Sequence, residues 1–267
     1  MRRQAALVVM DAAPVAPSPH WALPFAVAGA GVEVWGAGGV LRETLLQRFG
    51  AAARAPKEPC LLIRTGPNPA AVLDPNPGLR AEGPGWSAAI DLPRRRAIVS
   101  GEALADGVEA ALRLAFPYLL ADGLLVHAAL LEVGGEGVLG VGPSGAGKTT
   151  LARLCAPHAR GDELAVVRHD GNRWLAEAFP TPGSRRGALP LARLLLLRHA
   201  PTHELAPLPP GRAAGQLATQ VHWPTGDRAA GGRTFATLAR LAGEVPCLTL
   251  GFAPHPSVWQ FLAGGDG

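Results

Sequence analysis

The segment Gly142-Pro143-Ser144-Gly145-Ala146-Gly147-Lys148-Thr149 has the form Gly-x4-Gly-Lys-Thr. It stands between an apolar run, 137–141, and a run with helical spacing, 148–156, that Pro157 stops. Glycines in such a loop let backbone amides turn inward, and a helix starting at its end adds a favourable dipole. That combination cradles the phosphates of a nucleoside triphosphate. Lys148 would neutralise charge on the outer phosphates, and Thr149 can offer its hydroxyl oxygen to Mg²⁺. The candidate nucleotide-binding residues are therefore Gly142, Pro143, Ser144, Gly145, Ala146, Gly147, Lys148, Thr149 and Thr150, with ATP or GTP and Mg²⁺ as the ligands. The alternative is a chance glycine loop. Against it, the lysines of the chain are Lys57 and Lys148, so the loop lysine is not surface filler.

A transporter ATPase would add a Leu-Ser-Gly-Gly-Gln signature and an apolar strand ending in Asp-Glu, and the chain has neither. Its Asp162-Glu163 pair precedes an apolar strand, Leu164 to Val167, instead of ending one. A carboxylate facing the outermost phosphate can accept a hydroxyl proton while the metal spreads the developing charge. Alone, an acidic pair at a loop end is more often a solvated turn. A single His127 on an apolar strand is likewise more often a core residue.

With these residues in this order, the chain resembles the catalytic domain of HPr kinase/phosphorylase, whose loop relates it to PEP carboxykinases. The resemblance rests on His127 within Leu124-Leu125-Val126-His127-Ala128-Ala129-Leu130, on the glycine loop, and on Asp162-Glu163. Phe179-Pro180-Thr181-Pro182, followed by Leu189-Pro190-Leu191, adds to it; the well-matched stretch runs from about 120 to 195. The chain is also similar to bacterial HPr-kinase-related proteins, some of them encoded beside peptide-modification genes. This resemblance implies an α/β fold, a P-loop kinase core on a mixed sheet, with a smaller α+β N-terminal region. It implies phosphoryl transfer to a serine-type hydroxyl of a peptide, protein or small molecule. Asp162 would be the base, His127 a proton partner or phosphate contact, and Lys148 the third catalytic residue. Thr149, Asp162 and Glu163 would surround the metal.

Two departures bear on that reading. Glu163 stands where the family usually carries a second aspartate, and Gly183-Ser184-Arg185-Arg186 stands where relatives often show a histidine and an acid. Arg185 and Arg186 could hold an anionic acceptor, or equally a solvated turn. A second reading follows: a nucleotide-binding accessory protein of a peptide-modification system whose catalysis has decayed. A small-metabolite kinase unrelated to the HPr group ranks third.

The elements that must position these residues are legible in outline. Runs at 25–35 and 60–64 suggest strands, 41–49 a helix, and 65–85, with five prolines, a loop. A hairpin over 86–100 precedes a helix over 102–121. Strands at 124–131 and 137–141 then lead into the loop. Another hairpin flanks Asp170-Gly171, and 189–198 is a strand or a helix. Helices are expected over 210–221 and 234–241, a buried strand over 245–250, and a last helix opened by Pro256. Residues 1–100 are taken as the N-terminal region and 101–267 as the kinase domain. Whether both share one sheet stays open.

Composition limits the rest. An apolar fraction of 48% supports a sizeable core. The net charge of +4, carried by scattered arginines with a single tyrosine, argues against nucleic acid as a partner. Cys60, Cys155 and Cys247 form neither a disulfide framework nor a zinc pattern, which fits a cytoplasmic location. No apolar run is long enough for a membrane span, and a homo-oligomer is compatible with the chain without being required by it.

Overall fold

In the computed structural model, which describes residues 21–50, 60–66 and 78–264, two mixed sheets and six helices build a mixed α/β architecture. The expected lead-in over 1–20, Lys57, and the proline-rich stretch between 67 and 77 lie outside the described residues.

The first sheet is built from β1 (Trp21–Val27), β2 (Ala30–Gly36), β3 (Leu61–Thr65), β4 (Leu79–Gly83), β5 (Trp86–Asp91) and β6 (Arg96–Gly101), in the order β1-β2-β3-β6-β5-β4. Alternating burial along β1 and β2 marks a sheet with one face in the core. Ala28-Gly29, both at positive φ, make the tight turn between them. Helices α1 (Gly39–Phe49) and α2 (Leu104–Leu119) follow. The loop expected over 65–85 contains β4. Pro84-Gly85 is the turn of the β4–β5 hairpin, and β4, at the sheet edge, lacks the apolar alternation that would have revealed it.

The second sheet holds β7 (Gly123–Val133), β8 (Glu136–Val141), β9 (Ala159–Gly161), β10 (Leu164–His169), β11 (Trp174–Ala178), β12 (Leu189–His199), β13 (Glu204–Pro207) and β14 (Cys247–Phe252). Its order is β11-β10-β7-β8-β12-β14-β13, with β9 on β7 and a further β11–β12 pairing. The two halves of the chain therefore form separate sheets. The 189–198 run is a strand, lying parallel to both β8 and β14. Helix α3 (Lys148–Leu154) ends before Ala156, in a short 3-10 turn at Ala156–His158. Helix α4 (Pro210–Ala218) stops short of Val221, which bridges Val126 on β7 instead. Helix α5 (Arg228–Glu244) is longer than its apolar stripe, because Asp227 caps it by accepting from the Ala230 N–H. Helix α6 (Ser257–Ala263) closes the fold. Strands β9 and β13 are too short for a period-2 signal.

One face of the second sheet is covered by α4 and α5, through Ala213, Leu217, Leu238 and Leu241. The other face is divided. Its β10 side shares a core with the first sheet, α1 and α2, through Leu125, Leu164, Val166 and Phe179. Its β8–β12–β14 side packs on α3 and α6, through Leu151, Val258 and Leu262.

Arg186 ties the two sheets together. Its guanidinium donates to the Phe49 carbonyl at 2.8 Å and to the Ala26 carbonyl, and lies 3.5 Å from Glu177 on β11. Arg185 donates to the Pro157 carbonyl at 2.8 Å. Arg186→Gln should lower stability by about 1–3 kcal/mol, since two carbonyls and a largely buried carboxylate lose their donor. Chemical denaturation of both proteins measures the loss, and an unchanged midpoint would contradict the tie.

Candidate functional site

Side chains on a strand alternate between faces, so Leu125, His127, Ala129 and Leu131 of β7 share one face. Leu125 belongs to the core around the first sheet, and Leu131 to the core around α3. His127 therefore stands at the seam between two cores, where the face opens to solvent. Along one edge of β7, β9 and β10 pair in the same sense, with Leu130 opposite Gly161 and His127 opposite Leu164. Asp162-Glu163 is the interruption between them, held by a hydrogen bond from the Ala128 N–H to the Glu163 carbonyl at 3.1 Å.

Along the other edge β8 pairs as far as Val141, opposite Ala128, and the chain then leaves the sheet as the glycine loop. The freed edge of β7 is taken by 220–222. The His127 N–H donates to the Gln220 carbonyl at 2.8 Å, and the His222 N–H to the Leu125 carbonyl at 2.8 Å. Two loop glycines are required by geometry. A Cβ on Gly142 would come within 2.7 Å of the Ala146 Cβ, and Gly147 has φ 102° with the Phe252 ring 2.8 Å from where a Cβ would sit. The first bond of the α3 ladder runs from the Leu151 N–H to the Gly147 carbonyl, so the amides of Lys148, Thr149 and Thr150 precede that ladder. Because β12 and β14 run parallel to β8, their ends support the loop: the His199 Nε2 lies 2.7 Å from the Gly145 carbonyl.

These pieces enclose one open cleft of about 490 Å³, lined by His127, Ser144, Gly145, Gly147, Lys148, Thr149, Thr150, Asp162, Glu163 and His199. The structure thus gathers His127, the loop and the acidic pair, which are distant in sequence. Gly142 and Pro143 lie outside that lining and border a neighbouring cavity. Ala146 is buried, inside the loop core. Arg185 and Arg186 are absent from the cleft, because both are engaged in tying loops and sheets together.

Lys148 is 7% exposed, and its ammonium donates to the carbonyls of Gly142 at 2.6 Å and Pro143 at 3.1 Å. Burial lowers its pKa. The His127 pKa is lowered first by burial, then by the Lys148 and Arg113 charges, with Glu163 opposing. The two carboxylates differ. Glu163 forms an ion pair with Arg113 of α2 at 2.9 Å, while no hydrogen bond or ion pair engages the Asp162 carboxylate among the described residues. Arg113 also pairs with Glu109, which pairs with Arg48 of α1 at 3.1 Å.

The oxygen set of Thr149, Asp162 and Glu163 suits a hard cation that keeps phosphate and water oxygens as its remaining ligands. Among the described residues no group of three or more His, Cys, Asp or Glu gathers into a metal cage. The cysteines are free, and burial pushes the Cys155 and Cys247 thiols up to about 11, which leaves them without thiolate character near neutrality. No helix among the described residues is long and apolar enough to cross a membrane.

His199, Arg113 and His222 were not found by sequence reasoning. His199 ends an apolar strand run whose parallel register next to β8 has no local signal. Arg113 reads as one polar position of an amphipathic helix.

Residues 117–261 match the family model described as SynChlorMet cassette protein ScmC. No curated protein matches the chain. Among solved structures, the Hpr(Ser) kinase/phosphatase from Coxiella burnetii aligns at 11% identity over 52% of this chain and 86% of that one. Its TM-score is 0.29, a likeness too slight to bear on the fold.

His127 and His222 both have pKa values lowered from 6.5, chiefly by burial. The unfolded chain then binds more protons than the folded one below that value. Stability is full above pH 6.5 and is lost progressively as the pH falls towards the folded-state values. Urea unfolding at about pH 7.5 and about pH 5.5 should show this loss, and His127→Gln with His222→Gln should reduce it. An equal acid sensitivity in both proteins would mean that the imidazoles titrate normally.

Proposed function

The chain belongs to the family of the SynChlorMet cassette protein ScmC, and on that premise we propose that it is a nucleoside-triphosphate-dependent kinase. It would act on a serine-type hydroxyl, with the acceptor supplied within the same gene cassette. The observation that supports this reading is the convergence of the loop lysine, His127 and Asp162 on one cleft. Loop amides and Lys148 hold the phosphates of ATP or GTP, the ammonium exchanging its bonds to the Gly142 and Pro143 carbonyls for phosphate oxygens. Thr149 and Asp162 would hold Mg²⁺, which would supply charge neutralisation on those oxygens.

The acceptor oxygen forms a bond to the γ-phosphorus as the bond to the β-phosphate oxygen breaks. Its proton passes to Asp162, and the nucleoside diphosphate leaves. Asp162 is preferred over Glu163 as the base because the Arg113 ion pair engages Glu163. His127, kept neutral by its surroundings, offers one hydrogen bond to the phosphoryl group or the acceptor.

A second reading, a nucleotide-binding accessory protein of a modification system, is favoured by the segment Gly183-Ser184-Arg185-Arg186. Both its arginines are engaged structurally, which leaves that segment without a charged group aimed at an acceptor.

Lys148→Ala should weaken Mg-nucleotide binding by about tenfold or more, read by titration with a fluorescent ATP analogue on protein that circular dichroism shows to be folded. Equal affinities would remove the loop assignment. Asp162→Asn should keep most of that binding yet slow transfer of labelled γ-phosphate to cassette-encoded peptides by about 10²- to 10⁴-fold. Wild-type protein that binds nucleotide and labels nothing favours the accessory reading. Undiminished labelling by the variant passes the role of base to Glu163.

A further inference from the structure

Two connections of the second sheet meet around one hydroxyl, at the end of the sheet from which the glycine loop leaves. There β12 ends at His199, and opposite it β14 ends at Phe252, whose ring lies against Gly147. The chain leaving β12 runs on to His203, and the chain leaving β14 runs on to His255 and Ser257. The Ser257 Oγ lies 2.8 Å from the His255 Nδ1 and 2.8 Å from the His203 Nε2.

Hydrogen bonding fixes where the protons are. The Ser257 N–H donates to the His255 Nδ1 at 3.2 Å, so that nitrogen carries a lone pair and the Ser257 hydroxyl donates towards it. With its one proton committed, the Oγ accepts from His203, whose Nε2 is then the N–H. A hydroxyl oxygen has two lone pairs, so one remains open. The His203 Nδ1 is left as a lone-pair nitrogen, buried without a hydrogen-bond partner, which costs stability. Nor does Ser257 cap α6: the cap residue is Pro256, and no side chain bonds the helix amides there. Pro254, His255 and Pro256 are exposed, and the two proline rings stiffen the backbone on either side of the imidazole. Ser257 is thus a hydroxyl whose proton already points at a base, on a stiff and exposed bend.

We propose that Ser257 is a phosphorylation site of this protein, modified by a second copy of the chain. The inference rests on the kinase reading above and adds one acceptor to it. Ser257 is not among the residues that line the cleft of its own chain, so the donor nucleotide sits in the cleft of another copy. The open lone pair of the Oγ forms a bond to the γ-phosphorus of that nucleoside triphosphate. The bond from this phosphorus to the β-phosphate oxygen breaks, and the nucleoside diphosphate leaves. The hydroxyl proton passes to the His255 Nδ1, while the His203 N–H keeps the Oγ oriented. Because this acceptor brings its own base, it depends less on Asp162 than a peptide hydroxyl does.

Full-length protein incubated with Mg-ATP labelled at the γ-phosphorus, followed by peptide mapping, tests the assignment. Wild-type protein should carry label at Ser257. Ser257→Ala should lose it and still label cassette-encoded peptides at the wild-type rate. Mixed with Lys148→Ala protein, Ser257→Ala should place label on Ser257 of the Lys148→Ala chain. His255→Gln should slow Ser257 labelling by about 10²- to 10⁴-fold while peptide labelling holds. Asp162→Asn should do the reverse, with peptide labelling falling further than Ser257 labelling. Wild-type protein that labels peptides but not Ser257 overturns the proposal and leaves the kinase reading standing. So does a His255→Gln protein, folded by circular dichroism, whose Ser257 is labelled as fast as in the wild type. A mixture in which only the wild-type control acquires label at Ser257 overturns transfer between copies. Wild-type protein that binds nucleotide and labels neither acceptor removes the kinase reading as well.

Discussion

Strand β7 pairs with β9 and β10 along one edge, and with β8 and the 220–222 segment along the other. A strand held on both edges along most of its eleven residues cannot slip, because a one-residue shift would turn its buried face to solvent. The cleft depends on that constraint. His127 is aimed by the alternation of β7, and Asp162-Glu163 stands where the strand opposite β7 is interrupted. The loop begins where β8 parts from Ala128. No separate scaffold brings these groups together; one register does.

That register decides how the cleft meets its surroundings. A continuous core across this face would have covered His127 with apolar side chains. Instead the first sheet with α2 takes one end, α3 with α6 takes the other, and the polar groups occupy the seam. Burial there lowers the pKa of Lys148, and burial first, then the Lys148 and Arg113 charges, lower that of His127. A surface loop would leave both at their ordinary values.

Much of the second half was legible in the sequence because its signals are local. Gly134-Gly135 marks the β7–β8 turn, and Pro157 marks the end of the α3 pattern. The run 189–198 was ambiguous, since a fully buried strand and a buried helix segment show the same unbroken apolarity. Its identity is settled by pairing with β8 and β14, which no window of sequence contains. Strand β4 was hidden because edge strands need little apolar alternation. Of the cleft, the loop was visible from its own residues, and His127 and Asp162 were singled out only by resemblance. The partners that distinguish the two carboxylates were not legible, because Arg113 comes from a helix of the preceding layer.

That helix has an implication for how the molecule can be divided. By packing, α2 belongs with the first sheet, covering β5 and β6. By charge, its Arg113 belongs with the second, and the line Arg48, Glu109, Arg113, Glu163 alternates in sign from α1 to the cleft wall. A cut in the chain after α2, which would take that helix away with the first sheet, would leave Glu163 as a bare anion beside Asp162. The helical layer that covers the first sheet is in this sense the counterion of the cleft, and the two layers form one electrostatic unit.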